Sequence, residues 1–296
     1  MNPVASTPRA ALALPVLALL LNALTWGVSW WPFRWLEQRG LHALWSTALV
    51  YALAVVVIVL WRPGAPRLLW RTPRLWWLIL AAGTTNAAFN WAVTLGDVVR
   101  VVLLFYLMPV WAVLLARLLL GERLTAPAAV RVALALGGAL VVLWPADGGW
   151  PVPRSLADAL GVLGGFSFAL NNVLLRRDAD APEEARALAM FSGGILVSLL
   201  LALVLVAAGT LAAPPVLDAR WLPGVLGLAM AFLLGNLALQ YGAARLPANT
   251  TAAVMVAEVL FAAVSSALLG AGQVTPQLVL GGAFIVAAAL LSAWRP

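Results

Sequence analysis

Residues 41–60 read LHALWSTALVYALAVVVIVL, a run without Arg, Lys, Asp or Glu. An α-helix of about 20 mostly apolar residues is what the hydrocarbon core of a bilayer demands. Working outward from this run, nine more of similar length are found at 10–31, 75–95, 101–120, 127–144, 155–175, 184–208, 221–244, 249–269 and 276–294. The expected fold is an all-α integral membrane protein of ten transmembrane helices, its partner the lipid bilayer. Composition agrees: of 296 residues 64% are hydrophobic and 10% charged, against roughly 25% charged in soluble domains. A soluble fold of this make-up would lack the polar surface to cover itself. The first run is too long for the apolar core of a secretory signal and lacks a small-residue cleavage site, so it is read as a span.

The net charge of +7 would suit a nucleic-acid partner only if the basic residues clustered on one face. All 18 are Arg, and most lie in short segments between the runs; no nucleic-acid partner is implied. Sorted by alternate loops, thirteen (Arg9, Arg62, Arg67, Arg71, Arg74, Arg117, Arg123, Arg131, Arg176, Arg177, Arg186, Arg245, Arg295) fall on one side and five (Arg34, Arg39, Arg100, Arg154, Arg220) on the other. Cytoplasmic loops gather positive charge, so both termini should be cytoplasmic.

The same residues argue against enzyme chemistry. There is no Cys and one His, His42, which leaves a His triad, a multi-His zinc site and thiol catalysis unsupported. No GxxxxGK[ST] loop occurs, so no nucleotide cofactor or ATPase subunit is implied. Asp97, Asp147, Asp158 and Asp218 stand at helix ends, where they cannot form a buried aspartyl pair. No catalytic residue, metal ligand or cofactor site is assigned.

Sliding the chain against itself by 150 residues aligns Asn86 with Asn236, Asn90 with Gln240, Trp91 with Tyr241 and Thr125 with Thr275. If five spans repeat, the odd number forces the halves into opposite orientation, an inverted repeat with its substrate site at the midplane. The expected division is 1–147 for the first five-helix repeat and 154–296 for the second, within one transmembrane domain. Residues 148–153 of the turn-rich stretch DGGWPVP form the linker.

Polar side chains deep in apolar runs face other helices or a wet cavity. Asn22, Trp26, Ser29 and Trp30 share a face of the first run; Asn86 and Asn90 share one in the third, Asn236 and Gln240 one in the eighth, and Asn171 and Asn172 lie in the sixth. Interhelical hydrogen bonding accounts for any one of them. Their recurrence at matching positions of both halves favours a lined cavity for the set. Most Trp residues flank helix ends as interface anchors. Trp26, Trp30, Trp91, Phe105, Tyr106, Phe168 and Tyr241 lie within spans or beside the amides, where they either pack the core or wall the cavity. Glu258 is the one carboxylate near the centre of a span and has no Arg at its depth. Two roles fit it, a proton-coupling group or an acceptor for a substrate ammonium, and the lack of an acidic or His chain to either face favours the second. The candidate substrate-binding set is Trp26, Trp30, Asn86, Asn90, Trp91, Tyr106, Asn171, Asn236, Gln240, Tyr241 and Glu258. Pro109 should kink its span by removing a backbone hydrogen bond.

Several motifs resemble the drug/metabolite transporter superfamily in its ten-helix EamA-type branch. Tyr106, Met108, Pro109, Val110 and Trp111, followed by Gly121-Glu122-Arg123-Leu124-Thr125, are similar to its Pro-then-GE-x-L-T signature. Ala257 and Glu258 through Leu268, Leu269, Gly270 and Thr275 repeat the theme, with Val259 in place of Pro and Ala271-Gly272 in place of GE. Trp26-Gly27-Val28-Ser29 and Leu246-Pro247-Ala248 are similar to its WG-x-[SN] and leucine-proline-alanine elements. The resemblance implies a five-plus-five inverted repeat working by alternating access in the bacterial inner membrane. It also implies export of small metabolites, most like the superfamily's exporters of aromatic or other neutral amino acids. Export of another metabolite or a cationic drug, and a passive channel or structural bundle, are the alternatives.

Overall fold

The computed structural model describes residues 9–121, 125–145, 150, 152–213, 218–243, 245–246 and 254–294. Among these the regular structure is helical throughout. The helices are α1 (Arg9–Val28), α2 (Trp30–Glu37), α3 (Ala43–Trp61), α4 (Ala65–Trp70), α5 (Trp76–Leu95), α6 (Val98–Phe105), α7 (Met108–Leu120), α8 (Ala126–Leu143), α9 (Leu156–Arg177), α10 (Glu183–Ala207), α11 (Leu222–Ala243), α12 (Ala257–Leu268) and α13 (Pro276–Trp294). Local chemistry sets several ends. Asp97, Thr125 and Ser155 accept the backbone N–H three residues on at the starts of α6, α8 and α9, satisfying donors that a first turn leaves open. Gly121 ends α7 at φ +69°, a left-handed cap that residues with a Cβ adopt at a cost.

Among the described residues, seven helical segments are long and apolar enough to cross a membrane: Ala13–Glu37, Ala43–Trp61, Val98–Leu120, Ala126–Leu143, Leu156–Arg177, Glu183–Ala207 and Ala219–Leu239. The expected count of ten differs at three places. α5 has the length and no charge, but Thr84, Thr85, Asn86 and Asn90 dilute its apolar character; it is wedged among α3, α9 and α10, where polar groups find partners. α12 has 12 residues, and α13 is apolar over Pro276–Ala288.

Three of the runs are broken. In the first, the Ser29 N–H reaches the Trp26 carbonyl, three residues back, and the Ser29 hydroxyl donates to the same oxygen, splitting α1 from α2. The helix then continues to Glu37, so Arg34 stands inside it. The fourth run begins at Val98, which likewise puts Arg100 within α6. It breaks at Tyr106 and Leu107, just before Pro109, whose ring leaves the Phe105 carbonyl without its helical donor. In the ninth run, Val254 and Met255 are helical and Val256 is a turn before α12, so a break occurs 150 residues beyond Tyr106 even though Val259 has replaced the Pro.

Packing follows a reciprocal pattern. α1 lies on α11 and α12, while α9 lies on α5, α6 and α7; α3 meets α10, and α8 meets α13. Glycines sit at the crossings. A Cβ on Gly27 would stand 2.7 Å from that of Phe261 and 2.8 Å from the Glu258 carbonyl, and one on Gly165 would collide with the Phe105 carbonyl. A glycine in α1 thus admits α12, and a glycine in α9 admits α6. Gly83 abuts Gly193 where α5 crosses α10, and Gly138 abuts Gly281 where α8 crosses α13. Close backbone approach of this kind replaces the hydrophobic drive that lipid does not supply.

Candidate functional site

A cavity of about 430 Å³ opens among α1, α3, α5, α7, α9, α10, α11 and α12. One wall is aromatic. Trp26 stacks on Phe232 with ring centroids 4.6 Å apart, Phe89 meets Phe105 edge-on at 4.9 Å, and Phe168 and Phe191 extend the wall. Met108, Met190 and Met255 also line the cavity. Polar groups are few. The Tyr51 hydroxyl donates to Asn86 Oδ1 at 2.6 Å, and Asn86 Nδ2 donates back to the Ala82 carbonyl. Asn22 Nδ2 donates to the Gly235 carbonyl at 2.8 Å, tying α1 to α11. Glu258, 8% exposed, faces the Tyr106 hydroxyl. That oxygen lies 3.1 Å from Glu258 Oε2 and 3.2 Å from the Met255 carbonyl, so one proton is shared between two acceptors.

Of the candidate set, Trp26, Asn86, Tyr106, Asn171, Asn236 and Glu258 line this cavity. Four others, Trp30, Asn90, Trp91 and Tyr241, lie elsewhere. Asn90, one turn beyond Asn86, is wholly buried against α3, where its Nδ2 donates to Thr47 Oγ1 at 3.1 Å. Trp91 packs edge-on against His42. Trp30 donates its indole N–H to Ser265 Oγ at 2.9 Å above the cavity, joining α2 to α12. Tyr241 is covered by the Arg245 guanidinium, 3.8 Å from its ring. The side chain of Gln240 lies outside what the structure describes, as do Glu122–Leu124 and Pro247–Ala253. Tyr51, Phe191 and Phe232 also line the cavity; the second and seventh runs, which hold Tyr51 and Phe191, carried no polar or repeated mark, and Phe232 lies one turn before the marked Asn236.

A polar rim lies at the end of the bundle where α5 gives way to α6. Beyond Trp30, Arg34 sends its Nε to the Val93 carbonyl at 2.7 Å and Nη2 to the Gly96 carbonyl. These carbonyls belong to the C-terminal turn of α5, where a cation complements the helix dipole. Asp97 Oδ2 accepts the Gln273 N–H, and Gln277 Nε2 donates to the Val141 and Trp144 carbonyls. Arg100 grips Asp158 through two bonds of 2.7 and 3.0 Å and donates to the Val142 carbonyl. A second, polar hollow of about 790 Å³ lies in this rim, lined by Arg34, Glu37, Asp97, Arg100 and Gln273 among others. At the opposite end Arg74 reaches Asp180 at 2.7 Å and Asp178 at 3.9 Å. Its hydrogen bond holds the exposed Asp180 carboxyl below the usual range.

Residues 13–144 match the EamA-like transporter family. No curated protein matches the chain. Fifteen solved chains do; one of them, a crystal structure of a protein, is similar over 96% of this chain and 96% of its own, with 19% identity and a TM-score of 0.56. A likeness at that identity concerns the fold alone. With seven segments of spanning length and this family match, the chain is a multi-pass membrane protein. The match points to a membrane transporter of the drug/metabolite transporter superfamily.

Proposed function

We propose that the protein is a secondary transporter of the bacterial inner membrane that exports small metabolites, aromatic or other neutral amino acids among them, by alternating access. The observation that carries this reading is the cavity: about 430 Å³, within the range of small-molecule sites. It is built by helices from both halves of the chain. On this reading ten helices cross the bilayer as a five-plus-five inverted repeat with both termini cytoplasmic. The reciprocal packing of α1 on α12 and α9 on α6 supports it, as do the two breaks 150 residues apart. The Arg34 rim then lies at the outer face.

Counterflow tests the function. Full-length protein in liposomes loaded with unlabelled L-phenylalanine should accumulate labelled L-phenylalanine transiently and saturably; a flux linear in concentration without counterflow would make it a channel. Sidedness has its own test, because the native chain lacks cysteine. Arg67→Cys and Arg177→Cys should be shielded from an impermeant thiol reagent in intact cells, and Arg39→Cys and Asp218→Cys should react. The reverse labelling would invert the orientation.

A further inference from the structure

We propose that the connector between α3 and α5 is a binding site for an anionic phospholipid, whose phosphate Arg67 and Arg71 hold beside the Trp70 ring. The inference rests on the chain being a membrane protein and is independent of what the cavity carries. Residues 61–77 read WRPGAPRLLWRTPRLWW, with four Arg, four Trp and no acidic residue. The connector is ordered by its own hydrogen bonds. Thr72 donates its hydroxyl to the Leu68 carbonyl and its N–H to the Leu69 carbonyl, and the Leu75 N–H reaches the Thr72 carbonyl. Its two faces differ. Ala65, Leu68 and Leu69 turn inward at helical spacing; Ala65 is buried, and the two leucines pack with Leu75, Ala181 and Ala185 where α4 lies on α10. Arg67, Trp70 and Arg71 occupy the other face and are exposed. Trp70 is 72% exposed and meets Trp76 edge-on at 5.9 Å.

Like charges at i and i+4 of a helix are neighbours and repel, and a guanidinium cannot relieve this by losing its proton. Arg74, just beyond, is answered by Asp180 and Asp178. Among the described residues, Arg67 and Arg71 have no carboxylate partner and no side-chain hydrogen bond. The complement is an anion that two guanidinium forks can grip together, and a phosphate diester has that form. Free phosphate would leave the Trp70 and Trp76 rings in water. Indoles collect at headgroup depth in a bilayer, and a lipid brings both its phosphate and its apolar chains to that depth. A zwitterionic lipid carries an ammonium beside its phosphate and leaves the charge of the arginine pair unanswered, so the match is with a lipid of net negative charge. In the orientation proposed above, that lipid belongs to the cytoplasmic leaflet.

Native mass spectrometry of the full chain, delipidated in detergent and offered equimolar phosphatidylglycerol and phosphatidylcholine, tests this. Wild type should retain phosphatidylglycerol with a preference of about tenfold or more, and Arg67→Gln or Arg71→Gln should each cut that preference by about fivefold. The double variant should bring it near parity. Arg39→Gln makes the same change of charge at an exposed arginine that already lies over the Trp35 ring, and should leave the preference intact. Equal retention of the two lipids by wild type would overturn the proposal without any variant. So would a preference that survives in the double variant, or one that falls as far in Arg39→Gln. Displacement of phosphatidylglycerol by equimolar inorganic phosphate would make the pair a site for a soluble anion and would also overturn it.

Discussion

Asp158 and Glu258 are both buried carboxylates, 3% and 8% exposed, yet the protein treats them oppositely. Asp158, in the rim, receives two charge-assisted bonds from Arg100 and the backbone N–H of Arg154 at 3.2 Å, and Ser155 caps the helix beneath it. Glu258, in the cavity, has part of one phenol proton. Burying a carboxylate without compensation is unfavourable by several kcal/mol, so a fold stabilises such a group only where something else requires it. Asp158 is satisfied and holds α9 to α6. Glu258 is left open toward a space that a ligand can enter.

The contrast can be broken most severely at the rim. Arg100→Ala strands Asp158 as a buried, unpaired acid and should destabilise the protein by about 3–5 kcal/mol, read as a lowered midpoint of unfolding in mild detergent. Arg100→Ala combined with Asp158→Asn should recover most of that loss. If the single variant unfolds like wild type, the rim pair is not the support assigned to it. Next in size is overpacking at a crossing. Gly165→Ala drives a Cβ into the Phe105 carbonyl and should destabilise by about 1–3 kcal/mol, whereas Gly137→Ala, with open space around it, should be neutral or slightly stabilising.

Glu258→Gln should change stability by less than about 1 kcal/mol while transport falls, the reverse of the rim variants; a large stability loss would make Glu258 a structural residue like Asp158. The smallest effect lies at His42. Burial pushes its imidazole below the usual His value, outweighing the opposing pull of Glu37, and its Nδ1 accepts the Leu44 N–H that starts α3. The neutral form is therefore the folded one. Its contribution is present above the ordinary His range and is lost as pH falls through the lowered value. A modest drop in stability on acidification should disappear in His42→Asn, which caps without titrating.

Much of the helical order was legible in the sequence, because an apolar run of spanning length has few alternatives. What escaped was position across the third dimension. Asn86 and Asn90 are one turn apart, and the helix face they share suggested one role for both. α3 covers the second turn, so Asn90 meets Thr47 while Asn86 reaches the cavity. Tyr51 carried no mark because its partner is 35 residues away on another helix. Arg34 and Arg100 looked like loop charges, since a charge ends a hydropathy run. Each lies inside a helix, with its guanidinium on carbonyls that a neighbouring helix end leaves free. The ninth-run break without a proline was hidden for a related reason: the sequence shows which residues break a helix alone, not which crossings break one from outside.

The Gly138–Gly281 crossing bears on how the chain is made. α8 emerges from the ribosome long before α13, and at ~5–20 residues per second its glycine face waits on the order of ten seconds for the helix that covers it. During that interval the bundle is short of one staple, and a chain that stalls before Pro276 never acquires it. The crossing is thus complete only once α13 is in place, and until then the surface of α8 at Gly138 lacks the backbone that fits against it.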